Sequence, residues 1–112
     1  MIILTQESNL FKELKETLEP VKRHIRIIEA LMNDQPAGII KISQSTGMPD
    51  HKIRYSLRIL EKDGIITPSK DGAILTPEFI ENKDRILAEA KEILDSFEDL
   101  YSEIKKSFTG KK

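Results

Sequence analysis

The chain has 112 residues, enough for one domain with a modest hydrophobic core and too few for two ordinary domains. Hydrophobic residues make up 38% and charged residues 33%, which is typical of a folded helical chain with a charged surface rather than a disordered one. The lack of cysteine excludes disulfides and thiolate metal sites, and the net charge of −1 shows no overall excess of cations for nucleic acid.

The N-terminal part of the chain predicts two helices. Its first residues, MIILTQES, lack the basic start and long apolar region of a signal peptide, and no apolar run approaches the roughly 18 residues of a membrane span, so a cytoplasmic protein is expected. Thr5 can cap a helix over about residues 6–18, with an apolar stripe of Leu10, Phe11, Leu14 and Leu18. Pro20 ends that helix and can open another over about residues 20–33, with a stripe of Val21, Ile25, Ile28, Leu31 and Met32.

Two short helices joined by a tight turn are predicted next, over residues 40–46 and 50–63. Gly47 can adopt the left-handed conformation that ends the first of them. Asp50 is a good N-cap for the second, whose buried side would carry Ile53, Leu57 and Leu60. Two short helices with a glycine-containing turn between them form a helix-turn-helix unit.

Gly64 ends the preceding helix. After it the pattern of residues changes from the helical period of about 3.6 to one typical of extended strands. Two β-favouring segments flank the run Lys70-Asp71-Gly72, and this predicts a hairpin over about residues 65–76. A hairpin directly after a helix-turn-helix is the wing of a winged helix. The expected fold is therefore mainly α with a small β-hairpin wing.

One long helix is predicted over residues 77–108, with Thr76 as N-cap and Pro77 at its first position. It would be about 45 Å long. Its apolar residues follow the four-and-three spacing of a coiled-coil seam, namely Ile86, Ala90, Ile93, Phe97, Leu100 and Ile104. The seam is widened on one side by Leu87, Leu94, Tyr101 and Phe108. We expect a homodimer through this helix; the lining of a ligand pocket is the less common alternative.

These elements predict an N-terminal helix in residues 1–19, a winged helix-turn-helix in 20–76 and a dimerisation helix in 77–112. The segment IKISQSTGMPDHKIRYSLRILEKDGII resembles the winged-helix transcriptional regulators, especially archaeal ones related to the MarR and ArsR groups. The resemblance spans roughly residues 20–80 and includes the glycine turn, the buried helix positions, the hairpin tip and the return LTPE. It implies a DNA-binding regulator of transcription. The chain departs from the pattern in its single basic wing residue and in the apolar Ile59.

The candidate DNA-binding residues lie on the predicted recognition helix, residues 50–63, and at the tip of the wing. Between Asp50 and Lys70 there are five basic and three acidic residues, whereas the last helix is mostly acidic. Arg54 and Arg58 are candidates for contacts to base edges. The candidates for contacts to the DNA backbone are His51, Lys52, Tyr55, Lys62 and Lys70.

Other functions find less support in the sequence. The basic face could be an ordinary solvated helix surface, or the chain could be an adaptor that binds only protein. His24 and His51 have no partners spaced as a triad or ligand set, and the chain has no nucleophile motif or glycine-rich phosphate loop. We therefore expect no enzyme activity, cofactor or metal, and the sequence identifies no small-molecule effector.

Overall fold

The computed structural model describes residues 9–110 of the chain. These residues are mainly helical, with one small antiparallel hairpin, and none of their helices is long and apolar enough to cross a membrane. In chain order the elements are α1 (Lys12–Asn33), α2 (Ile39–Thr46), α3 (Asp50–Lys62), β1 (Ile66–Ser69), β2 (Gly72–Leu75), α4 (Pro77–Glu81) and α5 (Lys83–Thr109). They form two compact units, the first ending at Phe79 and the second beginning at Ile80.

Helix α1 is a single helix of 22 residues with Pro20 inside it, so the predicted break at Pro20 is wrong. A proline removes one helical hydrogen bond and crowds the preceding turn. The residues on both sides of Pro20 are mostly strong helix formers, and burial of Ile27, Ile28 and Leu31 anchors the C-terminal half. These contributions outweigh the local cost of the proline. The predicted cap Thr5 and residues 6–8 lie outside the described residues, and the helix begins at Lys12 rather than near residue 6.

The core of the first unit lies where the C-terminal half of α1 meets α2, α3 and the hairpin. Its most deeply buried apolar side chains are Ile27, Leu31, Ile42, Ile53 and Leu60. The predicted short helices are confirmed, and Gly47 between them has a φ of 75° and donates its N–H to the carbonyl of Ser43 at 2.8 Å. The Ser43 hydroxyl bonds to the carbonyl of Met48 across the same turn.

Two details of α3 differ from the prediction. The N-cap is Pro49, in extended conformation, and Asp50 is already the first helical residue. There the negative charge of its carboxylate interacts favourably with the positive end of the helix dipole. Leu57 is only half-buried, while Ser56 is completely buried. The centre of the buried face is therefore turned slightly from the predicted one, towards Ser56.

The predicted hairpin is confirmed, with Ile66 opposite Leu75 and Ser69 opposite Gly72. The outer edge of β2 is also occupied, because Ala37 and Ala73 exchange two backbone hydrogen bonds of 3.1 and 2.9 Å. Beyond that bridge the side-chain Oε1 of Gln35 accepts the N–H of Leu75 at 2.8 Å. Gln35 thus extends the pairing by one hydrogen bond with its side chain, which fixes the hairpin against the loop between α1 and α2.

The long C-terminal helix is interrupted near its start, so the prediction of one unbroken helix over residues 77–108 is wrong. Thr76 caps α4 as predicted, since its Oγ1 accepts the N–H of Phe79 at 3.1 Å. Asn82, with a φ of −108° and a ψ of 17°, then separates α4 from α5. Asparagine is a poor residue for a helix interior because its side chain competes for backbone hydrogen bonds. Its carbonyl accepts the N–H groups of Arg85 and Ile86 and so starts α5.

Candidate nucleic-acid interface

The side of α3 opposite the core is exposed and carries most of the predicted DNA-binding residues. Because α3 buries Ile53, Ser56 and Leu60, the positions half a turn away face solvent. At 100° per residue, five exposed side chains fall within an arc of about 100°, namely His51, Arg54, Tyr55, Arg58 and Lys62. Lys52 is also exposed and lies about 60° beyond one end of this arc. We call these five residues and Lys52 the α3 face.

The cations of the α3 face are not neutralised by ion pairs. Within residues 9–110, the side chains of Lys52, Arg54, Arg58 and Lys62 have no carboxylate within 4.0 Å. The pairs that are formed nearby in the first unit involve other cations, such as Lys41, which lies 3.1 Å from Asp34. Side chains of this kind can meet phosphates or guanine edges without first breaking an internal pair.

Lys70 lies in the two-residue turn of the hairpin and is exposed. The turn is closed by the Ser69 hydroxyl, which donates to the carbonyl of Gly72 at 2.6 Å. Gly72 has a φ of 132°, and a Cβ atom there would lie 2.5 Å from the carbonyl carbon of Ala37. Only glycine fits this close approach, and the position of Lys70 depends on it.

A contact between α1 and α3 was not predicted from the sequence. The Nδ1 atom of His24 lies 2.9 Å from the Oγ atom of Ser56, which is completely buried. The ring centroid of His24 is also 6.3 Å from that of Tyr55. His24 and Ser56 are 32 residues apart, so no local pattern could pair them. The only available signal was the position of Ser56 between Ile53 and Leu60, which predicts a core-facing side chain.

Burial lowers the pKa of His24 from its ordinary value of 6.5, and the neighbouring positive charge of Arg23 lowers it further, whereas Asp63 acts in the opposite direction. The imidazole is therefore neutral at neutral pH. In that state one hydrogen bond with Ser56 satisfies Nδ1, with the donor depending on the tautomer. This hydrogen bond holds the middle of α3, and with it Tyr55, against α1.

The predicted dimerisation residues all lie on α5, which has no buried residue. Ile86 and Ile104 are half-buried, and Ala90 is exposed. Ile93, Phe97 and Leu100 are 64%, 41% and 41% exposed. The widening residues Leu87, Leu94, Tyr101 and Phe108 are exposed as well. One side of α5 is thus a continuous apolar stripe, most of which is exposed.

Comparison with models of known protein families gave no match, and comparison with curated proteins gave none. Within residues 9–110, no three His, Asp or Glu side chains are grouped closely enough to hold a metal ion. The features that can indicate a function are therefore the α3 face, the supported hairpin and the stripe on α5.

Proposed function

We propose that the chain is a winged helix-turn-helix protein that binds double-stranded DNA and regulates transcription in the cytoplasm. In this proposal α2 and α3 form the helix-turn-helix, α3 is the recognition helix and the β1–β2 hairpin is the wing. The observation that carries the proposal is the exposed, unpaired set of cations on α3 beside a hairpin whose tip carries Lys70.

The dimensions and chemistry of the α3 face suit the major groove. A helix with its side chains is about 10–12 Å wide, and the major groove is about 12 Å wide. Arg54 and Arg58 lie one turn apart near the middle of the length of α3, where their guanidinium groups can bond guanine O6 and N7. Phosphates can be contacted by His51, Tyr55 and Lys62 on the same arc, by Lys52 beyond it, and by the wing residue Lys70.

The same proposal gives α5 the role of joining two copies. Its stripe repeats over several heptads, from Ile86 to Ile104, as expected of helices that pack side by side. In a two-fold dimer the two α3 helices would enter successive major grooves, which places the half-sites about 34–36 Å apart. The DNA site is then expected to be a palindrome or close to one.

Docking of a protein on α3 is the competing function. A protein-binding face has an apolar or aromatic centre and few charges. The α3 face has one aromatic residue, Tyr55, among basic ones, and the apolar Ile59 is half-buried rather than part of an exposed patch. The charge on α3 therefore favours a polyanion over a second protein.

Two double variants with equal net charge test the proposal. Replacing Arg54 and Arg58 with alanine removes two cations from α3, and replacing Lys105 and Lys106 removes two from α5. Fluorescence anisotropy on duplex DNA at constant salt should show a large loss of affinity for the first variant, about 1–3 kcal/mol for each arginine that contacts a base. The second variant should bind like the wild type. Equal affinities of the two variants, with the fold intact by circular dichroism, would make protein docking the better account.

A further inference from the structure

Helix α1 carries an apolar stripe that the first unit leaves uncovered. Six large side chains on one side of α1 and at its N-cap are between 36% and 52% exposed, namely Phe11, Leu14, Leu18, Val21, Ile25 and Met32. With Ile28 they alternate at three and four residues over the length of the helix. We call the six exposed residues the α1 stripe. This spacing is that of a helix packed along another helix.

The α1 stripe is separate from the side of α1 that forms the core. Ile27 and Leu31 are fully buried against the rest of the first unit, and His24 bonds to α3 on the same side. At 100° per residue, the centre of the α1 stripe lies about 120° around the helix from these residues. The α1 stripe is thus a second apolar side of the helix and not the margin of the side that forms the core.

The area of the α1 stripe matches what a self-association needs. A large apolar side chain that is half exposed leaves on the order of 80 Å² of its surface accessible to solvent. The six side chains together therefore expose on the order of 500 Å². Pairing this patch with an identical one would bury on the order of 1,000 Å², about the lower limit for a specific interface. A two-fold contact meets this requirement because both copies contribute the same surface.

The charges beside the α1 stripe are also complementary to themselves. Lys15, Lys22 and Glu29 follow one another at seven-residue intervals along the edge of the stripe that faces away from the core. In an antiparallel pair of α1 helices this edge meets the same edge of the second copy. In one register Lys15 of each copy lies opposite Glu29 of the other, which gives two equivalent ion pairs. The two-fold axis of that register passes beside Lys22, midway between them in sequence. Lys22 lies 3.6 Å from Glu19, which reduces repulsion between the two copies at the axis.

We infer that the α1 stripe is covered by the α1 stripe of a second copy of this chain, in antiparallel orientation. The inference adds a second contact to the dimer proposed through α5. The inference shares with the proposed function only the assumption that the chain forms a dimer. It does not require DNA binding.

Single cysteines in the full-length chain test the inference, because the natural sequence contains none. Leu18→Cys places a thiol in the α1 stripe, and Glu16→Cys places one on the exposed opposite side as the matched control. At high protein concentration Cys at position 18 should be alkylated on the order of tenfold more slowly than Cys at position 16, since only free monomer exposes it. Dilution should remove the difference. Equal alkylation rates at all concentrations, or protection that persists on dilution, would overturn the inference.

The orientation of the two helices is tested with Lys22→Cys. A short bismaleimide should join two such chains in high yield, and it should not join chains that carry Glu16→Cys. Protection at position 18 without cross-linking at position 22 would overturn the antiparallel pairing. Because these measurements use no DNA, a failure of DNA binding by the wild type would refute the proposed function and leave their outcome unchanged.

Discussion

The first unit and α5 carry the same kind of apolar repeat but use it in opposite ways. In the first unit Ile27, Leu31 and Ile53 are completely buried by neighbouring elements of the same chain. In α5 Ile93 is 64% exposed and Phe97 is 41% exposed. The spacing of apolar residues predicts a helix and its apolar side in both regions, but it does not tell what covers that side. The first unit thus closes a core within the chain, whereas the apolar side of α5 stays exposed.

The largest expected effect is the difference in stability between replacing a buried isoleucine of the first unit and replacing an exposed isoleucine of α5. Ile53→Ala leaves a cavity in a closed core and should lower the free energy of unfolding by about 2–5 kcal/mol. Ile93→Ala removes a similar side chain from α5 and should change the stability of dilute, monomeric protein by no more than about 0.5 kcal/mol. Urea unfolding at low protein concentration measures both. A loss for Ile93→Ala as large as that for Ile53→Ala would contradict the comparison.

A smaller effect is expected where the hairpin meets the loop before α2. Gly72→Ala forces a Cβ atom to within 2.5 Å of the backbone of Ala37, at a φ of 132° that alanine rarely adopts. We expect a loss of about 1–3 kcal/mol in thermal or urea unfolding. Gly38→Ala is the control, because its Cβ would have no atom within 4 Å and its φ is −94°. Similar stabilities of the two variants would show that the hairpin is not held by this contact.

The smallest effect concerns the link between α1 and α3. The pKa of His24 is lowered in the folded chain, so near and below pH 6.5 the unfolded chain binds more protons at this site. The stability from neutral His24 is therefore present above pH 6.5 and is lost as the pH falls through the folded pKa. His24→Gln should lack this contribution to the pH dependence. Urea unfolding between pH 8 and pH 5 should show the wild type losing more stability than the variant, and the reverse order would contradict the assignment.

Much of the first unit could be predicted from the sequence because its boundaries are set locally. Gly47 and Gly64 adopt positive φ angles at the ends of α2 and α3, and Thr76 caps α4 through its own hydroxyl. The turn Lys70-Asp71 likewise joins the strands where the pattern predicted. The exposed positions of the α3 face followed from the burial of Ile53 and Leu60 alone.

The errors arose where a local signal was outweighed or where contacts are distant in sequence. Pro20 is a helix breaker by itself, but the flanking helix formers and the buried end of α1 keep the helix continuous. Asn82 interrupts a strong apolar repeat that suggested no break. The contact of His24 with Ser56 and the bond from Leu75 to Gln35 join residues 32 and 40 positions apart, beyond any short-range pattern.

DNA binding by the α3 face and the wing is tested most directly by the salt dependence of wild-type binding to random-sequence duplex DNA. Five exposed cations are assigned to DNA in each copy, namely Lys52, Arg54, Arg58, Lys62 and Lys70. If most of them contact phosphates in this non-specific complex, the logarithm of the association constant should fall against the logarithm of salt concentration with a slope of about −3 to −4 per copy. Replacing Lys52 or Lys70 with alanine should reduce the steepness by about one. We expect this steep line; weak binding that does not change with salt would refute DNA binding by these cations.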